Sequence, residues 1–214
     1  LLRGALYRQE LVSMLPAALL GARPGERVLD MCAAPGSKTL QLLEAVRPEP
    51  AAGPGAGAGL VVANDAGLDG RVPQLQRVLG SRPKHEWAGL VLASGRGERL
   101  RAPGAGGRGE RWLFDRVLVD APCSGDGTAR KAADVLRRWT PEPALELHPL
   151  QVELVMQGLR LLKVGGTLVY STCSLNPLED EAVVACVLRQ ARGAAALLSV
   201  EGRLGGLRAR PGLA

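Results

Sequence analysis

The chain has 214 residues, 46% of them hydrophobic, and a formal charge of +6 from 27 Lys and Arg against 21 Asp and Glu. This suits one sizeable domain with a full hydrophobic core and permits an anionic partner, while an aromatic content of 3% argues against a stacking platform for single-stranded nucleic acid. Four widely spaced cysteines without a C-x-x-C pair (Cys32, Cys123, Cys173, Cys186) argue against a zinc site or a disulfide framework and fit a reduced, intracellular compartment.

Leu11 to Ala22 is apolar but interrupted by Ser13 and Pro16 and flanked by charge, so it reads as neither a signal peptide nor a membrane span. The chain starts at Leu1 without a Met and ends in an Arg/Gly/Pro tail, Arg208 to Ala214, so it is expected to be a piece of something longer. A helix is expected over Gln9 to Leu20, leading into a first strand at Val28. There the run VLDMCAAPGSKT, Val28 to Thr39, passes from apolar residues through small ones into a new apolar period, Leu40, Leu42, Leu43 and Val46. That is a strand, a tight turn and a helix N-terminus, the unit that holds a nucleotide-like ligand at a strand's carboxyl end. It is not a Walker A loop, since Ser37 separates Gly36 from Lys38, and it lacks the G-x-G-x-x-G of a dinucleotide fingerprint.

Arg47 to Gly59 is Ala/Pro/Gly-rich and is expected to be a flexible insertion with no reason to pack. Leu60 to Asp65 is a short buried-type strand ending in an acid, which either bonds a ribose or caps a loop. A helix over Leu68 to Leu79 and a strand over Leu90 to Ala93 follow, and the Gly/Arg-rich Ser94 to Arg111 is expected to be a mobile basic loop. Phe114 to Asp120 is a buried strand that runs into Ala121-Pro122-Cys123-Ser124-Gly125. A helix is expected from about Leu150, after Pro149, to Leu162, with a stop at Gly165-Gly166. Thr167 to Thr172 is the next strand, and Leu178 to Gln190 a helix with Glu179, Asp180 and Glu181 in its first turn. Ala195 to Val200 is a candidate further strand. Alternating strands and helices imply a right-handed, mostly parallel sheet.

Chemistry-bearing residues then stand at four strand ends: Asp30 and Cys32, Asp65, Asp120 and Cys123, and Cys173. In an open parallel sheet these ends share one crevice. Two cysteines just past strand ends are better explained as a thiolate site than as core packing. Composition and spacing leave open which of the two attacks.

Three stretches, MCAAPGSKT (Met31 to Thr39), DAPCSGDGT (Asp120 to Thr128) and YSTCSLNPLEDEA (Tyr170 to Ala182), together resemble the Sun-family RNA cytosine-5 methyltransferases, and most closely their eukaryotic tRNA branch. The likeness runs from about Arg8 to Val187, the two Gly-rich insertions excepted. It implies an α/β, Rossmann-like, S-adenosylmethionine-dependent fold with a mostly parallel sheet, truncated at its C-terminal strands. Residues 1–27 form a helical lead-in, 28–200 the methyltransferase domain with insertions at 47–59 and 94–111, and 201–214 a tail. By the same resemblance Cys173 is the nucleophile toward C6 of a cytosine in RNA, tRNA being the class implied, and Cys123 assists product release. Cys123 as the attacking thiol is the alternative mechanism, since DNA cytosine-5 methyltransferases attack from a Pro-Cys pair like Pro122-Cys123. Asp120 is implied to hydrogen-bond the base edge and line the cofactor pocket, a task suited to a carboxyl that burial keeps partly protonated.

The loop Cys32, Ala33, Ala34, Pro35, Gly36, Ser37 and Lys38 is implied to wrap the cofactor's methionine end, and Asp65 to hold its ribose. Arg130, Lys131, Arg137 and Arg138 are candidates for RNA phosphates, against the simpler reading of a solvated basic face. His148 and Trp139 are expected to pack at a helix start. No metal is implied, and the branch implies a nuclear or nucleolar address. The family carries an Asp after its third strand, toward adenine, where this chain has Ser94 and Gly95. A catalytically weakened relative that binds RNA or partners without turnover is the competing functional reading. A small-molecule methyltransferase gives no reason for two strand-end cysteines.

Overall fold

The computed structural model describes residues 9–48, 57, 59–67, 71–80, 88–101, 112–132, 134–206, 210 and 212–213. Among these, β1 (Arg27–Asp30), β2 (Leu60–Asp65), β3 (Leu90–Ser94), β4 (Phe114–Asp120) and β5 (Leu162–Ser171) form one parallel sheet in the order β3-β2-β1-β4-β5. β1 is central, with Asp30 opposite both Ala63 of β2 and Leu118 of β4. The chain builds outward from β1 to β3 and then crosses back to β4, so the switch point of the topology lies between β1 and β4. Because all strands run one way, Asp30, Asp65, Ser94, Asp120 and Ser171 end on the same edge.

The period-2 alternation of the strands divides the core. Val28, Val61 and Leu118 pack against α1 (Leu11–Leu20) and α2 (Ser37–Ala45) through Ala17, Leu20, Leu42, Leu43 and Val46. Leu29, Val117 and Val119 point to the other face, onto Val152, Leu154 and Val155 of α5 (Glu142–Leu161) and Val183 and Val187 of α6 (Glu181–Ala191). Each fully enclosed Leu or Val contributes about 1.5–3 kcal/mol, so the central strand is held firmly from both sides. α3 (Arg71–Gly80) adds Leu75 to a smaller cluster with Ala33, Leu40 and Ala63. α4 (Asp134–Arg137) is a single turn. No described helix is long and apolar enough to cross a membrane.

Several sequence expectations shift. α5 starts at Glu142, eight residues earlier than its apolar run suggested, and carries Pro149 internally. It ends at Leu161, because Leu162 turns inward as the first residue of β5. Gly165-Gly166 is therefore no helix stop: it lies within β5, where the register against β4 slips between Phe114 and Arg116. Gly165 has φ 79°, and a Cβ on Gly166 would lie 2.9 Å from the Asp115 carbonyl oxygen, so the irregularity needs both glycines. α6 starts at Glu181, leaving Glu179 and Asp180 outside it. Ala195 to Val200 forms no strand: Leu197 and Leu198 stand exposed, and the Val200 carbonyl accepts the Arg203 N–H at 3.1 Å in a local turn.

Parts of two segments expected to be loose are packed, at Gly59 and at Gly97. Gly59 is buried and donates its N–H to the Val46 carbonyl at 3.2 Å, with no space for a Cβ beside Val46 and Glu26. The rest of that insertion, apart from Arg47, Pro48 and Gly57, lies outside the described residues. Residues 94–101 are ordered: a turn over Gly97–Arg99 seats buried Gly97 against Leu154 of α5, and Asn64 donates to the Gly95 carbonyl at 2.9 Å. Residues 102–111 are outside the described residues, as are 68–70 ahead of α3.

Candidate active site

The loop after β1 is built from small residues because three backbones meet there. Ala33 donates to the Asn64 carbonyl at 2.8 Å and Met31 to the Leu118 carbonyl at 3.0 Å, which ties the loop to β2 and β4. The Ala34-Pro35 peptide is cis, and Gly36, at φ 108°, turns the chain into α2. The first turn of α2, Ser37 to Thr39, presents backbone N–H groups that the helix itself does not use. Cys32 is half-buried at the start of this loop and packs against the α5 side of the core.

Asp65, 2% exposed, uses one oxygen to accept the Ala34 N–H and the other the Gly67 N–H, both at 3.0 Å. It is thus a loop brace first. Beneath it, Asp30 is 1% exposed and accepts Thr39 Oγ1 at 2.7 Å. Burial pushes its carboxyl up to about 7, against the Thr39 hydrogen bond.

Lys38 reaches across to β4 and pairs with Asp120 at 2.7 Å, while Ser13 of α1 accepts a second Lys38 hydrogen at 3.2 Å. Ser171 Oγ donates to the other Asp120 oxygen at 2.8 Å. Asp120 is thus oriented from two sides, and its side chain is 30% exposed. The enclosure expected of an acid held protonated by burial is found at Asp30, one strand away.

Cys123 and Cys173 lie on adjacent loops past β4 and β5, with their sulfurs 3.1 Å apart. Cys173 is exposed and Cys123 half-buried. The hydrogen bond from Cys123 brings the Cys173 thiol down to about 7 against the effects of burial and the Asp120 charge, helped by the Cys173 N–H and Lys38. The same contact, with burial, drives Cys123 strongly upward, although the N–H groups of Cys173 and Gly125 partly oppose this. Solvent access favours the same assignment: the thiolate belongs on Cys173 and the donor S–H on Cys123.

The scaffold behind the thiols was not read from the sequence. Glu179, 0% exposed, accepts the Ser124 N–H at 2.8 Å, Ser174 Oγ at 2.7 Å, Gln151 Nε2 at 3.1 Å and Ser124 Oγ. Burial opposes its ionisation, but the hydrogen bonds from Ser124, Ser174 and Gln151 outweigh that and hold it below the usual range. Asp126 accepts the Leu175 N–H at 2.7 Å, and Gly127 donates to the Cys173 carbonyl at 3.0 Å. The signal was the repeated Cys-Ser dipeptide, Cys123-Ser124 and Cys173-Ser174; the acid read as a helix-start charge is their common acceptor.

The candidate phosphate contacts lie on the surface. Arg130 and Lys131 both pair with Glu10, and Arg138 with Asp134, while Arg137 stands exposed at the end of α4. His148 is within α5 rather than at its start, with Nδ1 2.7 Å from the Leu178 carbonyl oxygen, and Trp139 is exposed ahead of it.

A parallel sheet of this order, with a small-residue loop at its switch point and paired thiols on the two neighbouring loops, is a Rossmann-like methyltransferase fold. The model of the 16S rRNA methyltransferase RsmB/F family matches residues 17–203, and the chain belongs to that family. It is 42% identical over 226 residues to the multisite-specific tRNA:(cytosine-C(5))-methyltransferase trm4b of Schizosaccharomyces pombe, covering 98% of this chain and 33% of that protein. Its identity to the multisite-specific tRNA:(cytosine-C(5))-methyltransferase of Saccharomyces cerevisiae is 44%, covering 95% of this chain and 29% of that one. The chain thus spans about a third of the length of these relatives. Among solved structures, NSun6 from Pyrococcus horikoshii with SFG aligns at a TM-score of 0.69 and 25% identity, covering 88% of this chain and 43% of that one.

Proposed function

We propose that this chain is the catalytic core of an S-adenosylmethionine-dependent RNA cytosine-C5 methyltransferase acting on tRNA, with Cys173 as the nucleophile. The observation that carries the reading is the Cys173–Cys123 pair, 3.1 Å apart beside the Lys38–Asp120 ion pair at the carboxyl edge of the sheet. The tRNA class rests on the activities of the relatives from two yeasts.

The residues present fit the cofactor. Cys32 to Lys38 supply a close-approach loop and the start of α2, and Asp65 supplies a buried acceptor. A Cβ at Gly95 would meet only Asn64 Oδ1 at 3.8 Å and Leu100 at 4.0 Å, so the end of β3 has room for a flat group. Asn64 Oδ1 there is buried and unpartnered. The likeness to a protein solved with SFG, an analogue of S-adenosylmethionine, supports the same assignment. When bound, the cofactor supplies an electrophilic methyl group.

C5 of cytosine is a poor nucleophile, and addition of the Cys173 thiolate to C6 makes it electron-rich. Asp120, oriented by Lys38 and Ser171, hydrogen-bonds the base edge during that addition. Release requires a base to take the C5 proton, the C–H electron pair forming the C5–C6 double bond as the bond from C6 to the Cys173 sulfur breaks and that sulfur leaves as thiolate. Cys123, in contact with the departing sulfur, assists that release.

Two experiments test this. Calorimetric titration with S-adenosylmethionine is expected to give one site with a Kd of about micromolar, near −8 kcal/mol. No heat from a demonstrably folded chain would favour the competing reading of an RNA-binding fragment without turnover. On tRNA carrying 5-fluorocytidine, whose C5 fluorine blocks the elimination, a covalent adduct is expected with the wild-type chain and with Cys123→Ala. Cys173→Ala is expected to form none; the opposite pattern would make Cys123 the attacking residue.

A further inference from the structure

Behind the two thiols lies the carboxylate of Glu179. It is fully enclosed, yet among the described residues no Lys, Arg or His pairs with it. A buried charge without a counter-ion is costly, and it persists only where hydrogen bonds stabilise it. Here all of those donors belong to the walls of the thiol site. Ser124 follows Cys123 in the chain, Ser174 follows Cys173, and Gln151 also donates to the carbonyl of Pro122 at 2.9 Å, the residue before Cys123. The backbone of Glu179 is itself fixed, its N–H on the Asn176 carbonyl at 2.9 Å and its carbonyl under the Tyr170 hydroxyl.

We infer that Glu179 is a positioning residue that clamps the β4 and β5 loops at one separation, so that Cys123 stays within hydrogen-bond reach of Cys173. The inference rests on the thiol roles proposed above. Consecutive Cα atoms are about 3.8 Å apart, so tying both serines to one carboxyl group fixes the two preceding cysteines to each other. Carboxylate acceptors make hydrogen bonds roughly twice as strong as neutral ones, which suits a clamp that must resist a thiol pair opening.

The clamp and the bare charge predict opposite signs. As a charge, Glu179 would disfavour a nearby thiolate, so its neutralisation would lower the Cys173 titration midpoint. As a clamp, its loss raises that midpoint. The other titratable groups acting on the thiol pair are Lys38 of α2, Asp120 of β4 and Tyr170 of β5; none of them is altered in the test.

The test is site-resolved alkylation by iodoacetamide against pH, read by mass spectrometry on the Cys173 peptide, with melting curves confirming that each variant is folded. It needs neither RNA nor cofactor, so it reports on the clamp even if the chain fails to bind or methylate. In Glu179→Ala the Cys173 midpoint is expected to rise toward the ordinary thiol range, with alkylation at pH 7 slower by about tenfold. Glu179→Gln keeps the shape, and its amide can face the two serine hydroxyls while its oxygen accepts from Ser124 N–H and Gln151, so its midpoint is expected to stay near that of the wild type. Ser174→Ala removes one anchor and is expected to shift the midpoint in the same direction as Glu179→Ala by a smaller amount; it decides the matter alone if Glu179→Ala does not fold. An unmoved or lowered midpoint in the folded alanine variants overturns the inference, as does a shift in Glu179→Gln as large as in Glu179→Ala.

Discussion

Asp30 and Cys173 both titrate near 7, for opposite reasons and with different consequences. Asp30 is raised from 3.8 by burial, so the folded chain holds that proton more tightly than the unfolded chain does. Its stabilising effect is therefore complete below about pH 4, fades as pH rises to about 7, and is absent above that. Between pH 5 and pH 8 the loss is on the order of 2–3 kcal/mol. Asp30→Asn, which keeps an acceptor for Thr39, is expected to flatten that window and to be the more stable protein at pH 8; urea unfolding at the two pH values measures both. Cys173 is lowered by its hydrogen bond from Cys123, so its reactivity toward an alkylating agent is expected to reach half-maximum at about pH 7. A free cysteine does so near 8.5. Cys123→Ala removes the donor, and the Cys173 midpoint is then expected to rise; a midpoint that stays at 7 would make the loop backbone the cause.

Two glycines show how closely the elements are fitted around the site. A Cβ on Gly127 would stand 2.7 Å from the Cys173 carbonyl oxygen, a backbone atom that cannot swing aside. Gly127→Ala must therefore displace the Cys173 loop, and a displacement approaching 1 Å costs about a hundredfold in reaction rate. Adduct formation on tRNA is expected to fall by that order while the melting temperature moves little. Gly158, in the middle of α5, meets Leu168 of β5 at 2.7 Å and Met31 and Val117 at 3.2 Å. Helix propensity would favour Gly158→Ala by about 1 kcal/mol, but overpacking a core costs about 1–3 kcal/mol. Three neighbours from three segments leave no direction of relief, so net destabilisation is expected on chemical denaturation. The sequence shows α5 only in part, because Pro143 and Pro149 interrupt its first two turns, from Glu142, and its unbroken apolar period starts near Leu150. It shows β1, β2 and β4 with nearly their observed ends, because each is a short apolar run closed by an acid. It shows the two cysteines and the small-residue loop for the same reason, as breaks at strand ends. Glu179 was hidden: its partners lie 55, 28 and 5 residues away, and an acid ahead of a helix has an ordinary local explanation. The packing of residues 94–101 was hidden likewise, since it comes from α5, about 55 residues further on.

Across the whole molecule, the net charge of +6 sets up an anionic partner without saying where it lies. The four basic residues after the Cys123 loop are a definite candidate. Arg130 and Lys131 are 83% and 60% exposed and share Glu10, and Arg138, 75% exposed, pairs with Asp134. Exposed ion pairs of this kind contribute little and are screened by salt, so they do not compete seriously with an incoming phosphate. A bound phosphate also releases condensed counterions, a gain that a pair between two surface side chains lacks. If these residues take phosphates, each contributes roughly 0.7–0.9 to the slope of log affinity for tRNA against log salt concentration. Replacing Arg130, Lys131, Arg137 and Arg138 together by alanine is then expected to lower that slope by about 3. The affinity for S-adenosylmethionine should be unchanged, since none of the four is part of the loop around Gly36 or the brace at Asp65. Filter-binding titrations of tRNA at several salt concentrations measure the slope, and calorimetry checks the cofactor. An unchanged slope would make this a solvated basic face and move the RNA path to another surface of the carboxyl edge of the sheet.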